Sequence, residues 1–320
     1  MPAMLAALEA ARVFEGATAP NPPVGCVLLD EAGNVISVAA HEKAGRLHAE
    51  ALAIKKAHNA GVADQIHTVV VTLEPCNHWG RTPPCTEAIV ATTAKAVVIG
   101  AADPNPNVNG GGADRLRAAG LAVDFFDAAR HPALAGALKR LIAPFTKRVS
   151  TGMPWVTVKQ ALNSAGNMLP PAGQKTFTAQ SSLVLAHRLR RRADAIITGS
   201  GTVLADSPQF TVRHVADIAN KQRKLVLFDR RHRVSGEYVE AAEQLGFGVV
   251  FADALEPALR ELAKGGVLEV LVEAGPQLTT TVLASGLWDE HVVITQSASL
   301  GGDDQIETRH NASDADRPGE

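Results

Sequence analysis

Four side chains that could together perform metal-dependent hydrolysis occur in the first third of the chain. His48 and Glu50 belong to a His-Ala-Glu triplet, and Cys76 and Cys85 each follow a proline. Zinc prefers imidazole and thiolate ligands, and a catalytic zinc keeps three protein ligands and one position for water. We therefore predict that His48, Cys76 and Cys85 bind one zinc ion.

Glu50 is the predicted proton carrier of this site. Zinc lowers the pKa of a bound water from about 15.7 to about 7, so a nucleophile is available at neutral pH. Because Glu50 lies two residues from the ligand His48, it can reach that water without coordinating the metal and can protonate a ring nitrogen and departing ammonia. A His-x-Glu triplet combined with Pro-Cys pairs is the signature of zinc nucleobase deaminases.

Simpler interpretations of the same residues remain open at this point. The two cysteines could be small buried hydrophobic residues, with His48 capping a helix. A purely structural zinc site would have a fourth protein ligand and no use for Glu50. His78, between the two cysteines, is a rival ligand, whereas Cys26 lies in an apolar strand and is predicted to be a core residue.

The elements that must position these residues alternate between strands and helices, which indicates a sheet with helices on its faces. A break at 150–154 separates two such α/β units. We predict a first domain over 1–149, which carries the deaminase motifs, a second α/β domain over 150–302 and a disordered tail over 303–320, which is polar and lacks an apolar period. In the first domain the pattern predicts helices at 4–14, 48–60, 85–94 and 113–119, and strands at 24–29, 35–38, 67–73, 95–100 and 121–126.

Composition limits the class of protein. The 320 residues carry 31 basic and 33 acidic side chains, for a net charge of -2, which argues against a nucleic-acid scaffold. Neither a long apolar run nor a signal-peptide pattern is present, so we expect a cytoplasmic protein with no membrane partner. Three cysteines are too few for a disulfide framework in a chain of this length and favour a reducing compartment.

The residues around the cysteines resemble a known family. The segment 72–85 reads TLEPCNHWGRTPPC, with a longer spacing between its cysteines than most cytidine-type deaminases have, and PNPPVGCV at 20–27 and DPNP at 103–106 fit the same pattern. This is similar to the bifunctional diaminohydroxyphosphoribosylaminopyrimidine deaminase / 5-amino-6-(5-phosphoribosylamino)uracil reductase family of riboflavin biosynthesis. The resemblance implies a cytidine-deaminase-like three-layer α/β/α domain followed by a dihydrofolate-reductase-like α/β domain.

The resemblance also implies a substrate and a set of contacts. The substrate would be a small pyrimidine ribonucleotide that loses a ring amine as ammonia. By resemblance, the residues that contact its ring, ribose or phosphate are Asn21, His41, Arg81, Asp103 and Asn105.

The second half resembles the family's reductase, which reduces the ribosyl side chain with NADPH. The resemblance assigns Arg190, Phe210, Arg213 and Glu273 to substrate binding, and Lys159, Thr202, Asp206 and Gly275 to cofactor binding. Physically, a glycine-containing turn before a helix at 277–285 could present backbone N–H groups to a phosphate. The chain departs from the family at 164–167 (SAGN) and 296–298 (QSA), and it ends sooner after Gly301.

Three functions therefore compete. The first is a bifunctional deaminase and NADPH reductase, which we expect to be a homo-oligomer. The second is a deaminase with a degraded reductase domain, in a specialised pathway such as that of a pyrimidotriazine antibiotic, which the departures favour. The third is a nucleic-acid deaminase, and the near-neutral charge argues against it because such enzymes need a positive groove.

Overall fold

The protein is described by a computed structural model that places residues 1–79, 83–105, 111–168, 177–297 and 302–311. The chain divides into two compact units, Met1–Thr151 and Gly152–Glu320. Among the described residues, no helix combines the length and the apolar composition needed to cross a bilayer.

The first unit contains one mixed sheet and helices on both of its faces. Its strands are β1 (Gly25–Leu29), β2 (Val35–Ala40), β3 (Thr68–Val71), β4 (Ala96–Ile99) and β5 (Ala122–Phe125). Its helices are α1 (Pro2–Arg12), α2 (Ala49–Asn59), α3 (Cys85–Val90), α4 (Gly111–Ala118) and α5 (Pro132–Thr151), with a 3₁₀ turn at Ala63–Gln65. The strand order is β2-β1-β3-β4-β5, with β1 antiparallel to both neighbours and β3, β4 and β5 parallel.

Alternate residues of the central strands enter two separate apolar clusters, as the period of two of a strand requires. Cys26 and Val69 pack with the buried residues of α2, α3 and α4. Val27 and Val70 pack with those of α1 and α5. The unit is therefore a three-layer α/β/α sandwich, as predicted.

The second unit contains a larger sheet. Its strands are β6 (Trp155–Leu162), β7 (Ala195–Gly199), β8 (Arg223–Phe228), β9 (Phe247–Ala252), β10 (Glu269–Val272), β11 (Glu290–Thr295) and β12 (Gln305–His310). Its helices are α6 (Gln180–Arg192), α7 (Ser200–Asp206), α8 (Gly236–Gln244), α9 (Leu255–Lys264) and α10 (Pro276–Ser285). The order is β12-β11-β6-β10-β7-β8-β9, parallel except for the β11–β12 pair. Apolar clusters again use alternate strand residues, Ile197 in one and Ile196 in the other.

The predicted disordered tail needs a correction. Residues 305–310, which the polar sequence assigns to disorder from Asp303 onward, form β12 and pair with β11. Every side chain of β12 is exposed, so the strand is held by backbone hydrogen bonds and carries no apolar period that the sequence could reveal. Residues 312–320 lie outside the described residues.

Helix α5 ends later than the predicted domain boundary. It continues through Thr151 and stops at Gly152, whose φ of 68° is a conformation that glycine adopts readily. Pro154 then precedes β6.

Candidate active sites

Three predicted metal ligands converge in the first unit. His48 is the N-cap of α2, Cys76 lies in the loop after β3, and Cys85 opens α3 directly after its N-cap Pro84. His48 and Cys85 therefore both lie where a loop meets the start of a helix, and the helix that follows each residue fixes its backbone. This is how residues up to 37 positions apart, His48 and Cys85, come into contact.

The spacing of the three donor atoms fits a tetrahedral zinc site. His48 Nδ1 lies 3.6 Å from Cys76 Sγ and 3.3 Å from Cys85 Sγ, and the three atoms all lie within 4.8 Å of one another. Zinc bond lengths of about 2.3 Å to sulfur and about 2.0 Å to nitrogen place tetrahedral N and S ligands about 3.5 Å apart. Within the described part of the chain no other group of His, Cys, Asp and Glu has this geometry, and the rival ligand His78 is exposed and outside it.

The two thiols differ electrostatically: the pKa of Cys76 is lowered, whereas the side-chain hydrogen bond to Cys76, followed by burial, raises the pKa of Cys85. The Cys85 thiol and its backbone N–H both donate toward Cys76 Sγ, the N–H at 3.4 Å. The hydrogen bond from the Cys85 side chain, with His48 adding to it, lowers the pKa of Cys76. A thiolate beside an imidazole is the chemical form in which these side chains bind metal.

Glu50 occupies the first turn of α2 beside this cluster. It is only 3 % exposed, and its buried Oε2 has no hydrogen-bond partner among the residues that the structure describes. Burial, followed by the negative charge of Cys76, raises the pKa of Glu50. A buried carboxylate oxygen with no partner is rare, and here it identifies a group that is available to take and deliver a proton.

His41 and Asn21 form a hydrogen-bonded pair next to the ligand His48. The ring of His41 contacts that of His48 edge-on, with centroids 5.2 Å apart. His41 Nδ1 lies 3.1 Å from the Leu47 carbonyl oxygen, which can only accept, so Nδ1 carries the proton and Nε2 accepts from Asn21 Nδ2 at 3.2 Å. His41 is 2 % exposed, and burial lowers its pKa, which agrees with a neutral ring.

Asp103 and Asn105 lie together in the loop after β4. Asp103 is buried, and its Oδ1 accepts the backbone N–H of Asn105 at 2.8 Å. Burial raises the pKa of Asp103, and the charges of Glu74 and Cys76 add to this. Arg81, the remaining predicted substrate contact of this site, lies outside the described residues.

Sequence reasoning missed Glu74, a buried residue that accepts backbone hydrogen bonds from Asp103, Gly112 and Ala113. The only signal in the sequence was its position two residues before Cys76.

A second cluster of charged side chains is buried in the second unit. Glu273, which follows β10, is 5 % exposed and lies between Lys159 Nζ at 3.1 Å and Arg190 Nε at 2.6 Å. Despite its burial, these two cations lower the pKa of Glu273 to about 2. The predicted cofactor residue Lys159 and the predicted substrate residues Arg190 and Glu273 therefore form one site.

Phe210 and Arg213 adjoin this cluster through an irregular segment after α7. The Arg190 guanidinium lies over the Phe210 ring, 5.9 Å from its centroid. Arg213 donates to Thr211 Oγ1 at 2.7 Å, and its backbone N–H donates to His187 Nδ1 at 2.8 Å. Phe210 is otherwise a core residue, and sequence reasoning missed His187.

Two of the other predicted cofactor residues contact each other. The Gly275 N–H, just before α10, donates to Thr202 Oγ1 at 2.8 Å, and a Cβ at Gly275 would lie 3.4 Å from that oxygen. Asp206 is exposed at the end of α7, and no interaction with this pair or with Glu273 is seen among the described residues.

The 164–167 segment, where the chain departs from the family, forms a tight turn. In it Asn163 Oδ1 accepts the backbone N–H groups of Ala165 and Asn167.

Comparison with known proteins decides the family. Residues 2–101 match the cytidine and deoxycytidylate deaminase zinc-binding region, and residues 154–312 match the RibD C-terminal domain. The riboflavin biosynthesis protein RibD of Mycobacterium tuberculosis is 37% identical over 303 residues, which cover 94% of this chain and 86% of that protein. The chain belongs to the RibD family. RibD of Escherichia coli is 32% identical, covering 94% of this chain and 88% of that protein.

RibD structures share the fold over nearly the whole chain. Acinetobacter baumannii RibD aligns with a TM-score of 0.80 at 34% identity, covering 95% of this chain and 88% of that one. The Thermotoga maritima diaminohydroxyphosphoribosylaminopyrimidine deaminase/5-amino-6-(5-phosphoribosylamino)uracil reductase aligns with a TM-score of 0.81 at 30% identity, covering 94% and 88%.

RibD membership confirms several predictions made from the sequence. The fold class, a cytidine-deaminase-like domain followed by a reductase-like α/β domain, is confirmed. The chain is an enzyme of the zinc-dependent aminohydrolase type, and its family uses zinc in the deaminase and NADPH in the reductase. The roles of the individual residues stay predictions.

Proposed function

We propose that this chain deaminates 2,5-diamino-6-(5-phosphoribosylamino)pyrimidin-4(3H)-one to 5-amino-6-(5-phosphoribosylamino)uracil in riboflavin biosynthesis. The observation that carries this proposal is the convergence of His48, Cys76 and Cys85 beside Oε2 of Glu50, which is buried and has no partner in the described part of the chain. The named activities of the Thermotoga maritima relative support the choice of substrate.

His48, Cys76 and Cys85 would hold the zinc ion, which when bound supplies the Lewis acidity that activates water. Glu50 takes a proton from the attacking water and delivers it to the ring nitrogen next to the amine-bearing carbon. It then takes the remaining proton of the added hydroxyl group and hands it to the amine, so that a carbonyl forms at this carbon as the amine leaves as ammonia. Burial raises the pKa of Glu50, so the side chain can hold a proton between these transfers.

Asn21 is proposed to recognise the pyrimidine ring. Because His41 Nε2 accepts from Asn21 Nδ2, the Asn21 Oδ1 is left to accept a hydrogen bond from an N–H of the substrate. His41 is almost fully buried, so its contribution would be to orient Asn21. We assign Arg81, Asp103 and Asn105 to the ribose and phosphate, as the family resemblance implies.

The second unit is proposed to reduce the ribosyl side chain with NADPH. Lys159, Arg190 and Glu273 form a buried charged cluster, and Arg190 with Arg213 would bind the substrate phosphate. Thr202 and Gly275 would contact the cofactor beside the N-terminus of α10. This chain matches both the deaminase zinc-binding region and the RibD C-terminal domain, which favours the bifunctional enzyme over the deaminase-only alternative.

The remaining expectations concern partners and location. A net charge of -2 supports a small-molecule substrate in place of a nucleic acid. We propose a cytoplasmic homo-oligomer, in line with the family resemblance.

The variant Glu50→Gln tests the deaminase. Glutamine keeps the size of the side chain and removes its proton-carrying group, while the three zinc ligands stay. We expect full zinc content with ammonia release reduced by at least about 100-fold, the lower end of the range for losing a general acid–base group. Ammonia release and zinc content are measured on the same preparation.

Glu42→Gln is the matched control, since Glu42 is partly exposed in the loop after β2 and forms a long ion pair with Arg46. It should release ammonia at the wild-type rate. Undiminished turnover in Glu50→Gln would refute the proposed role of the carboxylate.

A further inference from the structure

Glu74 is a buried carboxylate that the mechanism above does not use. It is 3 % exposed and lies in the loop after β3, two residues before the metal ligand Cys76. Its backbone N–H donates to the Ala101 carbonyl at 2.9 Å. This hydrogen bond joins the loop after β3 to the loop after β4. An ionised side chain buried this deeply must have its oxygens satisfied.

One oxygen of Glu74 binds the start of α4. Oε1 accepts the N–H groups of Gly112 and Ala113 at 3.1 and 3.0 Å. These belong to the first turn, whose N–H groups lack helical partners and favour a negative charge. A Cβ at Gly112 would lie 2.0 Å from the Pro75 carbonyl oxygen, so α4 rests directly on the backbone that precedes Cys76.

The other oxygen binds the segment that carries two proposed substrate contacts. Oε2 accepts the Asp103 N–H at 3.3 Å, and Asp103 Oδ1 in turn accepts the Asn105 N–H at 2.8 Å. The carboxylate of Glu74 therefore accepts hydrogen bonds from the start of α4 and from the segment that carries Asp103 and Asn105.

We propose that Glu74 is a positioning residue of the deaminase, which holds the Asp103–Asn105 segment in register with the metal-binding loop at Cys76. This role rests on the proposed function, because Asp103 and Asn105 matter to turnover only if they contact the substrate. Glu74 would act on substrate affinity through these residues without touching the substrate.

The variant Glu74→Gln tests this role because it can keep the hydrogen bonds to α4 or the one to Asp103, but not both. Glutamine has the same length but only one acceptor oxygen, and its amide is a donor. If the oxygen stays on α4, the amide faces the Asp103 N–H and the segment must move. We expect KM for the diaminopyrimidinone nucleotide to rise about tenfold, as the loss of one hydrogen bond to a charged group predicts, while kcat and zinc content stay within about twofold.

The matched control is Glu87→Gln. Glu87 also connects to α4, through an ion pair with Arg115 at 2.8 Å, but this pair is partly exposed and does not involve Asp103. The same change of charge at this contact should leave KM within about twofold of the wild type.

A merely structural role predicts a different result. In that case Glu74→Gln would lower the melting temperature and the active fraction, so that kcat per mole of protein falls while KM is unchanged, and the positioning role would be overturned. Glu74→Asp provides a second variant, since it keeps the charge and both acceptors but is one methylene shorter, and its KM should also rise.

Ammonia release by the wild type shows whether the positioning role alone has failed or the proposed function has failed as well. If it releases ammonia and neither folded Glu74 variant changes KM, only the positioning role fails. If the wild type releases no ammonia from this nucleotide, the proposed function fails and the positioning role fails with it.

Discussion

His187 shows how a single buried ring sets the hydrogen bonding of a charged site. It is 3 % exposed, and its Nδ1 accepts the backbone N–H of Arg213 at 2.8 Å, so a proton on that nitrogen would break the contact. Burial, then the charge of Arg190 and the nearby His214 and Arg213, lowers the pKa of His187 to about 4, against an opposing effect of Glu273.

This pKa predicts how stability depends on pH. The ordinary histidine pKa of 6.5 lies above the folded value of about 4, so the unfolded chain binds more protons between these two values. The stabilisation is complete above about pH 6.5 and is lost as the pH falls toward 4. We expect the melting temperature of the wild type to fall more steeply over this interval than that of His187→Gln, which keeps an acceptor for Arg213.

Thermal unfolding followed by calorimetry at several pH values measures this difference. His58→Gln, a change on the exposed face of α2, is the control and should keep the wild-type slope. Parallel curves for the wild type and His187→Gln would contradict the prediction.

At the level of residues, local motifs were predictable and distant connections were not. His48, Glu50, Cys76 and Cys85 could be selected because zinc chemistry restricts both residue types and spacing. His187 and Glu74 act through backbone groups brought to them by the fold, 26 and up to 39 positions away in the chain. His187 has no neighbouring motif, and Glu74, although it lies within the 72–85 segment, takes no part in the zinc chemistry by which that segment is recognised.

Among the elements, the contact between α1 and β1 depends on one glycine. A Cβ at Gly25 would lie 1.9 Å from the Ala7 carbonyl oxygen and 3.3 Å from the Ala11 N. The helix backbone therefore lies directly on the first residue of β1, and the Gly25 N–H donates to Thr72 Oγ1 at 3.0 Å on the other side. The Ala7 oxygen and the Ala11 nitrogen are backbone atoms of α1 and cannot move away as the end of a flexible side chain could.

Gly25→Ala should consequently destabilise the first unit. The added methyl group must push α1 away from the sheet, and overpacking of this kind costs about 1–3 kcal/mol. Chemical denaturation measures the loss. In Gly111→Ala, which changes the first residue of α4, the new Cβ meets no described residue within 4 Å, so this variant should be neutral or slightly stabilising. Equal stabilities of the two variants would count against the contact.

Elements with a strong apolar pattern were predictable, and those held by backbone pairing were not. The apolar strands β3 and β4, TVVV and AVVI, are typical of buried parallel strands. β12 has no buried side chain, so it is a strand because its backbone hydrogen-bonds to the edge of β11. A pattern in the sequence cannot report a pairing partner of this kind.

For the whole molecule, the two units divide the chemistry between them. The proposed zinc donors and Glu50 lie in Met1–Thr151, and the Glu273 cluster lies in Gly152–Glu320. The regular alternation of strands and helices was enough to predict two α/β units. The departures at 164–167 suggested a degraded reductase, but the charged cluster is intact, because its members come from β6, α6 and the end of β10.

This division predicts that the two activities can be removed one at a time. Glu273→Gln leaves Lys159 and Arg190 without their buried counter-charge, so NADPH oxidation on the deaminated product should fall at least about 100-fold, which corresponds to about 3 kcal/mol. Ammonia release by this variant should match the wild type. Glu50→Gln should release little ammonia but should oxidise NADPH at the wild-type rate when it is supplied with the deaminated product. Absorbance of NADPH and released ammonia are followed in parallel assays of the full chain. If the wild type consumed no NADPH on that product, the reductase assignment would fail and the deaminase-only alternative would replace it.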